Sequence, residues 1–151
     1  MATRYILDAN QIQPRFDIGR QSTIEKIRND PRVVVKERTN LREVRDFGEK
    51  VDLVTLDLSF ISVLKVMEAV KSVLNDDGQL IVLIKPQFEA QKGQVGRGGI
   101  IKDPAIHQSV IENVTKGIQA EGFSCVGVIE SPIEGATGNK EFLAYFRRTA
   151  A

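Results

Sequence analysis

The chain has 151 residues, 42% hydrophobic and 27% charged, the mix of one ordinary globular domain able to bury a core without disulfides or metal. Lys and Arg number 21 against 20 Asp and Glu, a net charge of +1, which excludes a global positive field for nucleic acid and leaves such binding to a local patch or another domain. The single cysteine, Cys125, excludes an intrachain disulfide and a multi-cysteine zinc site. No signal peptide is visible and no apolar run reaches membrane-spanning length, so the expectation is a cytoplasmic protein that makes no use of a membrane.

In chain order, residues 15–19 (RFDIG) read as a short strand that ends in an acid and a glycine. A helical stretch follows over residues 21–29, with Ile24 and Ile27 on one face, until Asp30-Pro31 breaks it. Residues 32–36 (RVVVK) read as a strand running into a polar turn that ends at Asn40. Residues 51–57 (VDLVTLD) read as a strand buried on both faces, with Asp57 near its C-terminal end. The spacing of Val63, Val66, Met67, Val70 and Leu74 predicts a helix over residues 62–74, ended by a turn at Asn75-Asp76-Asp77-Gly78 in which Gly78 suits a left-handed conformation. Residues 79–84 (QLIVLI) are a further apolar strand, closed by Lys85-Pro86.

A long loop, QFEAQKGQVGRGGIIK, comes next and carries Gly93, Gly96, Gly98 and Gly99 with Lys92, Arg97 and Lys102. It lacks the GKS or GKT of a phosphate-binding P-loop, and two readings stand: a mobile surface loop, or a functional one that serves as a lid or as an RNA-backbone contact. Asp103-Pro104 is an N-cap followed by proline at the first helical position. The helix it starts presents Ile106, Val110, Ile111, Val114 and Ile118 and stops near Gly122. His107 falls inside that helix, where a solvated or structural role is expected. Two strands close the chain, residues 123–130 and 141–147, and the tight SPIEGATGN connection makes them antiparallel. Cys125, in the apolar run of the first of these, is expected to pack in the core. The alternation of strands and helices argues for an α/β sandwich on a mostly parallel sheet.

In such a sheet, ligands bind outside the carboxyl ends of the strands. Asp17, Asn40, Asp57 and Lys85 fall at or just beyond such ends, and Glu141 sits beside the turn before the last strand. Each alone could be a helix cap or a salt bridge; together on one edge they form a candidate site. A lysine among carboxylates keeps its proton and would stabilise an oxygen that develops negative charge. To act as a base it must shed that proton through desolvation or a second cation nearby. Group transfer to an oxygen, with one lysine activating a hydroxyl, fits this set, which holds no metal-ligand cluster.

The segments DPRVVVKERTN, VDLVTLDLSFIS, LIVLIKPQFEA, VGRGGIIKDP and SPIEGATGNKEF, in this order and spacing, closely resemble the hemolysin-A-like branch of the FtsJ-like RNA methyltransferases. The resemblance covers residues 16–148, with residues 1–15 a divergent segment and residues 149–151 a tail. It implies a Rossmann-like methyltransferase three-layer sandwich whose last strand is antiparallel. It further implies 2'-O-methylation of ribose in ribosomal RNA, typically at cytidine, with S-adenosylmethionine as cofactor and ribosomal RNA or ribosomal subunits as partners. FtsJ-like enzymes carry a Lys-Asp-Lys-Glu tetrad, in which Asp57, Lys85 and Glu141 match the last three members. The resemblance makes Lys85 the residue that activates the hydroxyl, with Asp57 and Glu141 fixing its position and charge. It gives Asp17 the cofactor ribose, sets Asn40 near the adenine, and adds Asp57 to the cofactor-binding residues.

The first tetrad lysine and the glycine-rich turn after the first strand are not recognisable in residues 1–15, MATRYILDANQIQPR, where Tyr5 to Asp8 reads as a remnant of the first strand. The expectation is therefore an N-terminally truncated relative whose first strand and glycine turn are missing or replaced. The competing expectation is a degenerate, non-catalytic methyltransferase-fold module that binds RNA or a protein partner. A membrane-active hemolysin finds no amphipathic basic helix or apolar span to support it.

Overall fold

The computed structural model describes residues 4–8, 29–37, 41–46, 48–135 and 138–149. The chain divides into two compact units, Met1–Val44 and Arg45–Ala151. In the first, β1 (Arg4–Asp8) and β2 (Val33–Glu37) pair in parallel, Arg4 opposite Val33 through to Asp8 opposite Glu37. The remnant read at Tyr5 to Asp8 is thus a paired strand, and the connection from residue 9 to 32 gives the length that a parallel crossover requires. The strand expected at residues 15–19 and nearly all of the helix expected at 21–29 lie outside the described residues. Asp30 opens the turn into β2, its carboxylate accepting from the Arg32 amide at 2.8 Å and from the Arg32 guanidinium at 2.7 Å.

The second unit is a four-stranded sheet in the order β3-β4-β6-β5. β3 (Val51–Leu56) runs parallel to β4 (Leu74–Ile84), while β6 (Phe142–Arg148) lies antiparallel between β4 and β5 (Phe123–Glu130). The antiparallel closing pair is as expected from the tight connection. Buried positions alternate along the two central strands, Leu80, Val82 and Ile84 on β4 with Ala144 and Phe146 on β6, the period of two that a packed sheet face imposes. Helix α1 (Met67–Val73), entered through a 3-10 turn at Val63–Val66, buries Met67, Ala69, Val70 and Val73. The short helix α2 (Pro86–Glu89) follows β4, and α3 (Pro104–Ala120) contributes Val110, Val114 and Ile118 to the core. Each fully buried aliphatic side chain of this kind stabilises the fold by about 1.5–3 kcal/mol.

The local signals read for α3 hold in detail. The Asp103 carboxylate accepts from the Ala105 amide at 2.9 Å, Pro104 takes the first turn, and Gly122 stops the helix at φ 93°. At the end of α1, the Arg148 guanidinium donates to the carbonyls of Lys71 and Leu74, at 3.0 and 2.7 Å, satisfying carbonyls that a helix terminus leaves without partners.

Four expectations need correction. β3 is not buried on both faces: of its residues only Leu56 is buried, and Leu53 is 48% exposed, because β3 is the terminal strand of this sheet. The segment at Asn75 to Gly78 is not a left-handed turn but part of β4, whose register against β3 shifts between the pairs Val51–Leu74 and Leu53–Gln79. Gly78 is needed there because a Cβ would run into the Leu74 side chain. The loop after β4 is not wholly irregular, since it holds α2 and a 3-10 turn at Arg97–Gly99. Cys125 is only half-buried, for the pairing on β5 shifts between Cys125 and Gly127. Such a bulge exchanges the faces of the residues beyond it, leaving Ile129 exposed as well as the bulged Val126.

Candidate active site at the strand ends

Asp57 follows β3 directly and Lys85 follows β4. Because β6 is antiparallel, its beginning lies at that same edge, where Ile84 pairs with Phe142 and Glu141 stands just before. The topology alone therefore brings the ends carrying Asp57, Lys85 and Glu141 to one border of the sheet. Lys85 Nζ lies 2.7 Å from Asp57 Oδ1 and donates to Ser59 Oγ at 3.3 Å. The two partners differ in setting: the lysine side chain is 14% exposed and the carboxylate 68%. The ammonium is thus sheltered behind an anion that faces solvent.

Glu141 is buried at that same border, bonded to Gln87. Its Oε2 accepts from Gln87 Nε2 at 2.9 Å. Gln87 Oε1 is the buried side-chain atom left without a hydrogen-bond partner among the described residues. Asp17 and Asn40, expected at the cofactor, lie outside the described residues.

Two further contacts hold the segments that surround this edge. Glu89 ties α2 to the entrance of α1: its Oε2 accepts from Ser62 Oγ at 2.6 Å and its Oε1 from the Val63 amide at 2.8 Å. Burial pushes the Glu89 carboxyl above its ordinary range, while the two donated hydrogen bonds pull the other way. On the same seam Phe60 packs against Phe88, ring centroids 4.8 Å apart. Phe60 is 80% exposed and holds φ 65°, a left-handed conformation that a bulky side chain rarely adopts.

The second contact is Asn139, fully buried, whose Oδ1 accepts from the Ile101 amide at 2.9 Å and whose Nδ2 donates to the Gly99 carbonyl at 2.8 Å. It pins the end of the glycine loop to the turn that carries Glu141. Lys92, Arg97 and Lys102 stand exposed along that loop. His107 Nε2 donates to the Ile101 carbonyl at 2.9 Å, which sets the proton on Nε2, and its ring lies 5.6 Å from Phe142. That is the structural role expected of it. Among the described residues no cluster of three His, Cys, Asp or Glu could hold a metal ion, and no helix is long and apolar enough to cross a membrane.

Sequence reasoning did not single out Gln87, Glu89, Asn139 or Phe60 for the site. A signal existed for Glu89, an acid in a proline-started turn facing a serine cap, and for Asn139, which follows Gly138 in a turn. For Gln87 none existed, because its partner is 54 residues away.

The chain matches the model of the FtsJ-like methyltransferases over residues 16–148. It is 43% identical over 133 residues to the 16S/23S rRNA (cytidine-2'-O)-methyltransferase TlyA of Mycobacterium tuberculosis, a match over 87% of this chain and 50% of that protein. With Hemolysin A of Brachyspira hyodysenteriae it shares 38% over 134 residues, 87% of this chain and 56% of that one. A solved structure described as "Putative hemolysin from Streptococcus thermophilus" superposes with a TM-score of 0.85 at 37% identity, covering 99% of this chain and 52% of that one. The chain spans about half the length of the curated relatives it matches. The architecture is the Rossmann-like methyltransferase fold with its antiparallel last strand, and the chain belongs to the FtsJ-like methyltransferase family.

Proposed function

We propose that this chain is the methyl-transferring part of an enzyme that methylates the 2'-hydroxyl of ribose in ribosomal RNA, with cytidine as target and S-adenosylmethionine as methyl donor. The observation that carries this reading is the Lys85–Asp57 pair, 2.7 Å apart at the edge where α/β folds place their ligands, with Glu141 on the adjoining strand end. The chemistry of the donor set fits the cofactor: a solvent-facing carboxylate at Asp57 suits a ligand that carries cationic groups. Asp57 would hold it, together with Asp17 and Asn40 in the roles given by the resemblance. Bound there, the cofactor supplies an electrophilic methyl group.

The remaining work belongs to the chain. As an ammonium, Lys85 orients the ribose oxygen by donating to it; to take the hydroxyl proton while that oxygen gains its methyl, it must first shed its own proton to solvent. Asp57 and Ser59 fix the Lys85 nitrogen in place, and Glu141 takes the charge-setting role given by the resemblance. Phe60 supports an RNA substrate in particular. It is an exposed ring one residue from the serine that Lys85 touches, and unpaired bases stack on such rings. Its positive φ is the kind of strain that folds retain at functional sites.

Incubating the chain with labelled S-adenosylmethionine and ribosomal RNA tests the reading. Label should enter ribose 2'-oxygens, and Lys85→Ala should lower the rate by a factor on the order of 100 or more. Equal transfer by both proteins would remove Lys85 from the chemistry.

A further inference from the structure

Gln87 sits two residues beyond Lys85, and both ends of its amide call for explanation. Nε2 donates to Glu141 Oε2 at 2.9 Å, while Oε1 is buried with no partner among the described residues. Folds rarely leave a buried acceptor unmatched unless the site uses the group. Gly135 crowds the same carboxylate oxygen from beside that donor. A Cβ there would come within 2.7 Å of Glu141 Oε2, 3.1 Å of its Cδ and 3.6 Å of Gln87 Nε2. The Glu141 carboxylate is thus held by a donor on α2 and approached beside that donor by the residue 135 backbone, which comes so near only because residue 135 has no side chain.

From this we infer that Gln87 is a positioning residue of the proposed methyl transfer, holding the Glu141 carboxylate in its working orientation against the Gly135 backbone. The inference rests on the reading that Glu141 serves that reaction. The amide is suited to the task because it is neutral: it donates to a carboxylate without cancelling its charge, as a lysine or arginine in the same place would. Its orientation is set by its partner, since the reversed amide would turn an oxygen toward an oxygen. A glutamate in its place would have the same shape and would set two carboxylates against each other. A proton shared between them restores the missing donor only on the acid side.

The test measures methyl transfer to ribosomal RNA from mildly acidic to mildly alkaline pH for the parent chain, Gln87→Leu and Gln87→Glu, together with crystal structures of the parent and Gln87→Leu. Gln87→Leu should lower kcat about tenfold or more, with KM for RNA and for cofactor within about twofold, the pattern of an interaction that matters in the transition state alone. Gln87→Glu should recover activity as pH falls, relative to the parent. A kcat for Gln87→Leu within about twofold of the parent, or a Gln87→Glu profile parallel to it, overturns the inference. If Gln87→Leu does not fold, Gly135→Ala replaces it in both arms, its Cβ displacing Oε2 from the Gln87 amide. If the parent chain transfers no methyl group, the proposed function fails and the structures alone decide the inference. A Glu141 carboxylate that swings away in the variant supports it, and one that stays in place overturns it.

Discussion

The Glu89 carboxylate caps the entrance of α1 through Ser62 Oγ and the Val63 amide, and it does so from a position where burial disfavours its charge. The sign of the consequence follows from linkage. An acid whose value is raised by folding keeps its proton longer in the folded chain than in the unfolded one. Its contribution to stability is therefore greatest below the unfolded value of about 4.3 and is lost as pH rises from there through the folded value. Glu89→Gln keeps an oxygen to accept one of the two hydrogen bonds and removes the titration. Urea denaturation of parent and variant from about pH 4 to about pH 7 should show the parent losing ground to the variant across that interval. Stability curves that run parallel would mean that burial does not act on this carboxyl.

At the scale of elements, the glycine loop is tied down at both ends, by Gln87 to Glu141 and by Asn139 to Gly99 and Ile101. Removing the Asn139 side chain orphans the buried Ile101 amide, at a cost of about 1–3 kcal/mol, and releases the Gly99 carbonyl to solvent. Asn139→Ala should thus lower stability by about 1–3 kcal/mol, read as a fall in the urea midpoint at unchanged slope; a loss below about 0.5 kcal/mol would show that the tie carries no weight. The same elements show what a sequence can and cannot display. α3 was legible because its cap, first proline and apolar stripe are all local. The meeting of Asp57 with Lys85 was legible because parallel strands fix which ends share an edge. The faces of β5 were not, since its bulge between Cys125 and Gly127 exists only in the pairing with β6. Nor was the exposure of β3, because an apolar run reads alike in a central strand and in a terminal one. Gln87 stayed hidden for a similar reason: a glutamine beside a proline carries no mark of a carboxylate reached only through the fold.

For the whole molecule, the net charge of +1 constrains how the RNA of the proposed reaction would be held. A chain this close to neutral offers no broad positive surface, so affinity for that proposed substrate would come from a few local cations and from contact with the bases themselves. The exposed cations of the glycine loop are Lys92, Arg97 and Lys102, and Phe60 presents its ring outside the sheet edge. Each phosphate neutralised on a single strand adds about 0.7 to the slope of log affinity against log salt. Three such contacts give a slope of about −2, shallow for a nucleic-acid binder. Fluorescence anisotropy with single-stranded ribosomal RNA fragments, repeated across salt concentrations, reads this slope directly. Lys92→Ala and Arg97→Ala should each flatten it by about 0.7, with little change in sequence preference, because phosphate contacts position the strand without reading it. A parent slope steeper than about −5 would locate the contact on a larger cationic surface than this loop provides. A slope unmoved by both substitutions would take the loop out of RNA binding and leave it the task of holding Glu141 alone.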